Sequence, residues 1–201
     1  MAFLIDEAFL PATLTASPMT DDEFAEFCAE HPDLSFETTA EGEIIVMPPT
    51  YSFTGFQNAE LSAQLRNWAE ANGSGICGDS GTGYVLPNGA RRSPDASWTE
   101  WSRIRALPKA QRAKYLYLCP DFVVELMSQT DRARTARAKM QEWIANGAQL
   151  GWLIDPGKRT VEIYRPDREP ELLDQRETVA GEGPVVGFVL DLTRIWRLAA
   201  D

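Results

Sequence analysis

Apolar positions along the chain change their period several times, and each change marks an element. From about Phe53 to Asn72 they recur at helical spacing, with Leu61, Leu65 and Trp68 in one stripe and Gly73 as a stop. Asp131 to Asn146 repeats the pattern, with Ala136, Met140, Trp143 and Ile144 on one face and Gly147 just beyond. "GICGDS", "TGYVLP" and "DASWT" read as short strands divided by glycine or proline turns. "DFVVELM" and "LGWLID" are nearly continuous apolar runs, the mark of strands covered on both faces. "LSFETTAEGEIIVMP" predicts a hairpin around Glu41-Gly42, and "PGKR" turns the chain into "TVEIYR" as another. Thr20 with Glu23 three residues on forms a capping box that opens a short helix. Ser102 to Tyr115 is basic and irregular, a connection with a short helix or two, and the tail predicts strand-like pieces and a last helix near "LTRIWRLA". Strand, helix and strand from Phe122 to Asp155 predict a right-handed parallel crossover. The sum is an α/β fold: a mixed β-sheet core flanked by helices, with β-hairpin additions.

Length and composition narrow this. The 201 residues suit one domain, 1–201, with an N-terminal extension over 1–18. No stretch approaches the ~20 apolar residues of a membrane span. The first segment has no basic start and carries Asp6 and Glu7, so it does not read as a signal peptide. Cys28, Cys77 and Cys119 are odd in number and widely spaced, which predicts reduced thiols in a cytoplasmic protein. His31 is the only histidine, which excludes a multi-histidine metal site or histidine-based catalysis. A net charge of −11 argues against general nucleic-acid binding, but its distribution does not. From Arg91 to Lys139 there are eleven Lys and Arg against five Asp and Glu, while the rest holds eight against twenty-five. A basic middle on an acidic body is compatible with one anion-facing surface.

Two acids stand out. Asp95 follows Pro94 at the mouth of a strand, and Glu125 interrupts an apolar one. A buried carboxylate is costly unless something satisfies it. If the two strands are neighbours, the side chains come within ~5 Å on one face, a site of hard oxygens suited to Mg²⁺ or Mn²⁺. Asp121 also follows a proline, but four residues along one strand put it ~13 Å from Glu125. If such a pair hydrolyses phosphodiesters, a lysine is needed nearby, to orient the attacking water, help take its proton and hold the phosphate. Met127 occupies the nearest position. Lys139 can serve instead: the strand climbs ~10 Å beyond Glu125 and the returning helix descends ~12 Å by its eighth residue.

In this order, Pro94-Asp95, then Glu125 in "PDFVVELMSQTD", then Lys139 in "KMQEWIANGAQLGWLIDP", the chain resembles the PD-(D/E)XK restriction-endonuclease-like superfamily. It is most similar to the Uma-two branch of that superfamily, through "GTGYVLPNGARRSPDASW", "CPDFVVEL" and "NGAQLGWLIDP". The likeness runs from "MTDDEF" to "GFVLDLTRIW". It implies Asp95 and Glu125 as Mg²⁺ (or Mn²⁺) ligands, the Leu126 carbonyl as a third, Lys139 as a migrated catalytic lysine, and Glu60 as an outer acid. Many members carry a histidine on the first core helix, and this chain has none there.

The resemblance implies a metal-dependent endonuclease acting on DNA, with Arg91, Arg92, Arg132 and Arg134 as candidate phosphate contacts. The competing expectation is a catalytically inactive nuclease-fold module for binding or dimerisation, favoured by the acidic charge and the missing histidine. Sheet edges and the tryptophan-rich tail predict a homodimer.

Overall fold

A computed structural model describes residues 11–48 and 50–199. In chain order the elements are β1 (Ala12–Leu14), α1 (Asp21–Glu30), β2 (Ser35–Thr38), β3 (Ile44–Met47), α2 (Ser52–Asn72), β4 (Gly75–Asp79), β5 (Tyr84–Val85), β6 (Arg91–Arg92), β7 (Ala96–Glu100), α3 (Trp101–Ala106), β8 (Phe122–Leu126), α4 (Ala133–Ala145), β9 (Leu150–Asp155), β10 (Thr160–Tyr164), β11 (Glu171–Asp174), β12 (Thr178–Ala180), β13 (Val189–Asp191) and α5 (Thr193–Trp196). The fold is a mixed α/β one, as the periodicity predicts.

The main sheet has six strands in the order β11-β10-β9-β8-β7-β4. Only β8 and β9 run parallel, joined through α4 as the crossover predicts. A second sheet, β1-β3-β2-β6-β5, gathers the hairpins, and β12 pairs with β13 apart from both. Part of the expected N-terminal extension is thereby structural, because Ala12 to Leu14 pair with β3. Residues 1–10, on which the signal-peptide reading falls, lie outside the described residues.

Helix α1 opens on the expected capping box: the Thr20 hydroxyl accepts from the Glu23 N–H at 3.3 Å, and the Glu23 carboxylate accepts from the Thr20 N–H at 2.8 Å. Helix α2 stops at Gly73, whose φ of +72° suits a residue without a Cβ. The two long helices cover opposite faces of the main sheet. Leu61 and Leu65 of α2 pack with Trp98, Phe122, Val124 and Trp152. Met140 and Trp143 of α4 pack with Val123, Met127 and Leu153. Alternate residues of β8 enter different cores, which is why all five are buried and the strand reads as one apolar run. No helix among the described residues is long and apolar enough to cross a membrane.

Candidate active site

β7 and β8 run antiparallel, with Ala96 opposite Val124. Continuing that ladder by one residue sets Asp95 opposite Glu125, at the same end of the sheet. Asp95 lies just before β7, where one carboxylate oxygen accepts from the Asn58 amide at 2.8 Å and the other from the Leu126 N–H at 2.7 Å. Glu125 is 9 % exposed and projects to the α4 side. There the Trp143 indole N–H donates to it at 2.8 Å, and the Lys139 ammonium lies 3.0 and 3.1 Å from its two oxygens. Lys139 and Trp143 are one helical turn apart on α4, so a single face of the helix supplies both donors. The descent of α4 predicted from the sequence thus brings Lys139 level with Glu125.

A third carboxylate joins them from the smaller sheet. Glu37 of β2 is 3 % exposed, and its Oε1 is 2.9 Å from the Lys139 Nζ. Its Oε2 accepts from Arg92 at 3.1 Å, and Arg92 in turn pairs with Glu142 at 2.6 Å. Neither Glu37 nor Asn58 was anticipated as part of the site. Asn58 had a signal, since it lies three residues before Leu61 and seven before Leu65, a polar residue on an apolar stripe. Glu37 had none: in "SFETT" it alternates with Phe36 as any solvent-facing strand residue would.

The charges follow from burial and neighbours. Burial pushes Glu125 up to about 7, against the pull of Lys139 and with Asp95 and Glu37 adding to the rise. Asp95 is raised for the same first reason, although the Leu126 N–H, Lys139 and Asn58 oppose it. Burial acts on Glu37 too, but Lys139 and Arg92 outweigh it and hold the group below its ordinary range. Lys139 would lose its proton to burial alone, yet Glu125 and Glu37 hold it well above the usual lysine value. In this arrangement it is a charged donor shared by the two carboxylates.

The other expected site residues are placed differently. Glu60 accepts from Gln64 at 3.1 Å and from Arg194 at 3.0 Å, toward α5. It stands two residues from Asn58, about 200° around the helix, so Asn58 takes the place beside Asp95. Arg91 is tied to Asp21 at 2.7 Å and to the Met19 carbonyl. Arg92 is buried between Glu37 and Glu142. Arg132 and Arg134 are exposed at the start of α4. Asp121, at the far end of β8, is occupied by Arg103, Gln149 and the Glu100 N–H.

Among the described residues no three His, Cys, Asp or Glu side chains stand together as a ready metal cluster. The donor set nonetheless fits a hard divalent cation. Asp95 and Glu125 are hard oxygens, and the Oδ1 of Asn58, buried beside Asp95, has no hydrogen-bond partner. The ion-paired carboxylates Glu125, Glu37 and Glu142 outnumber Lys139 and Arg92, and Asp95 is a further acid close to Glu125. Leu126, whose N–H is spent on Asp95, brings its main chain to the same place.

Comparison with known proteins bears on this arrangement. Residues 21–193 match the model of the Uma2 family, described as "putative restriction endonuclease". A crystal structure of a putative nuclease belonging to DUF820 from Anabaena variabilis has the same fold, with a TM-score of 0.73 and 23% identity, over 90% of this chain and 99% of that one. A DrdV–DNA complex aligns more distantly, with a TM-score of 0.36 and 14% identity, over 61% of this chain and 11% of that one. No curated protein matches. With the family model spanning nearly all of the elements around Asp95, Glu125 and Lys139, the chain belongs to the Uma2 family of restriction-endonuclease-like proteins.

Proposed function

We propose that the chain is a divalent-metal-dependent endonuclease that hydrolyses DNA phosphodiester bonds at the cluster of Asp95, Glu125 and Lys139. The observation that carries this is convergence: an acid from the mouth of β7 is held by the main-chain N–H of Leu126, next in the chain to Glu125 at the end of β8, and Glu125 is paired with an amine from α4. Asp95 and Glu125 would hold Mg²⁺ or Mn²⁺, with the Leu126 carbonyl and Asn58 Oδ1 as neutral oxygens close by. Such an ion supplies charge neutralisation at the phosphate and a water of lowered pKa. The chain's own part is to fix the geometry. Leu126 and Asn58 hold both Asp95 oxygens, Trp143 holds Glu125, and Lys139 presents a positive charge where a phosphate oxygen would gather negative charge. The exposed Arg132 and Arg134 at the start of α4 are the candidates for backbone contact with DNA.

Supercoiled plasmid incubated with Mg²⁺ or Mn²⁺ should be nicked or linearised, and chelation should stop the reaction. Asp95→Ala and Glu125→Ala should each reduce cleavage by at least about two orders of magnitude without lowering the melting temperature below the assay range. Variants that cut like the parent would remove the site assignment. A parent that binds DNA and never cuts it would leave the binding-module reading in its place.

The working form is proposed to be a cytoplasmic homodimer. Three cysteines without disulfides fit a reducing compartment, and β4 and β11 are the edge strands of the main sheet. A monomer mass by light scattering ends the dimer proposal.

A further inference from the structure

Glu37 lies in the smaller sheet, outside the β7, β8 and α4 elements that carry the acid pair and the lysine. A carboxylate that deeply buried needs partners, and it has them on both oxygens. Oε1 faces the Lys139 Nζ at 2.9 Å and accepts from the Ser93 N–H at 3.0 Å, while Oε2 accepts from Arg92 at 3.1 Å. Arg92 does not require it, because Glu142 already pairs with that guanidinium at 2.6 Å. Lys139 is the partner whose surroundings Glu37 changes. The ammonium stands 2.9 Å from Glu37 and 3.0 Å from Glu125, and also donates to the Ser93 carbonyl at 3.2 Å. Ser93 is thus clamped through both its N–H and its carbonyl, two residues before Asp95.

An ammonium with a single carboxylate partner closes a full ion pair on it. Poised between two at equal range, it can shift its weight from one to the other at little cost. A dication arriving at Glu125 repels the ammonium, and the second carboxylate decides whether the amine has somewhere to go.

We propose that Glu37 is a positioning residue for Lys139: it shares the ammonium with Glu125, keeps it beside the acid pair, and leaves Glu125 able to take a divalent cation. This rests on the metal-dependent reading above and extends it to a residue outside the motif.

The test is a double-mutant cycle read by Mn²⁺ calorimetry. Glu37→Gln keeps the shape and an oxygen for the Ser93 N–H but removes the charge. It should weaken Mn²⁺ binding at least about fivefold, because the ammonium then settles on Glu125. In a Lys139→Met background the same replacement should change Mn²⁺ affinity by less than about twofold. Cleavage by Glu37→Gln should lose kcat while KM for DNA holds. Glu37→Asp, which keeps the charge one methylene further back, should recover most of the ion affinity. Equal weakening in both backgrounds would make Glu37 a distant charge only and overturn the proposal, as would an unchanged affinity or no recovery by Glu37→Asp. If neither replacement folds, Glu37 is a structural ion partner and the proposal fails. A parent chain that binds Mn²⁺ but cuts nothing fails the nuclease reading alone, whereas normal cleavage with no Glu37 effect fails this one alone.

Discussion

At the scale of single residues, Glu125 sets the pH behaviour. Its carboxyl is raised from an ordinary 4.5 to about 7, so near pH 6 the ion-free fold holds a proton that the unfolded chain would release. The contribution of that proton to stability is present below about 4.5 and lost as pH rises through about 7. A divalent ion must displace the same proton. Mn²⁺ affinity should therefore climb, by up to about tenfold per unit, between roughly pH 5 and 7, and flatten above. Calorimetry at several pH values checks this, and a flat profile would mean that Glu125 is not a ligand. Trp143 offers a second handle. Trp143→Phe keeps most of the ring but removes the N–H that donates to Glu125 at 2.8 Å. Thermal melts should show a loss of about 1–3 kcal/mol, and the break in the Mn²⁺ profile should move to higher pH.

At the scale of elements, the site depends on strands held in register and helices held at the right height. β4 closes the edge of the sheet against β7, whose first residue follows Asp95. Gly75 faces Glu100 in that pairing, and a Cβ there would overlap the Trp98 ring and stand 2.5 Å from the Thr99 carbonyl oxygen. Gly75→Ala should destabilise by about 1–3 kcal/mol in chemical denaturation. A melting temperature equal to the parent's would show that the edge strand yields freely. Helix α2 makes the complementary point. Its buried face, with Gln57, Asn58, Leu61, Leu65 and Ala69, fixes its rotation, and that rotation selects Asn58 over Glu60 for Asp95.

At the scale of the whole molecule, the basic middle of an acidic chain separates into two populations. Arg91 and Arg92 are consumed by ion pairs that tie the smaller sheet to α1 and α4. Arg132 and Arg134 remain exposed. Arg92→Ala leaves Glu37 and Glu142 without that cation and should cost about 3–5 kcal/mol of stability. Arg132→Ala and Arg134→Ala should leave stability unchanged and each lower the salt dependence of DNA affinity by about one counterion. Filter binding across a salt series distinguishes the two groups, and an Arg92→Ala protein as stable as the parent would contradict the buried-network account.

The sequence by itself determined the element types, the parallel crossover through α4 and the meeting of Lys139 with Glu125. Each of these is written in local period or in the rise of one strand and one helix, quantities that hold wherever the element lies. Glycine at Gly73 and Gly147, and the Thr20–Glu23 box, mark helix ends for the same reason. Only the tertiary structure decided that Glu37 joins the amine, that Asn58 rather than Glu60 meets Asp95, and that Arg92 is inward. Those outcomes depend on how the smaller sheet docks on the main one and on the rotation of α2 about its axis. Alternation along "SFETT" separates two faces of a strand but says nothing about which face meets another sheet.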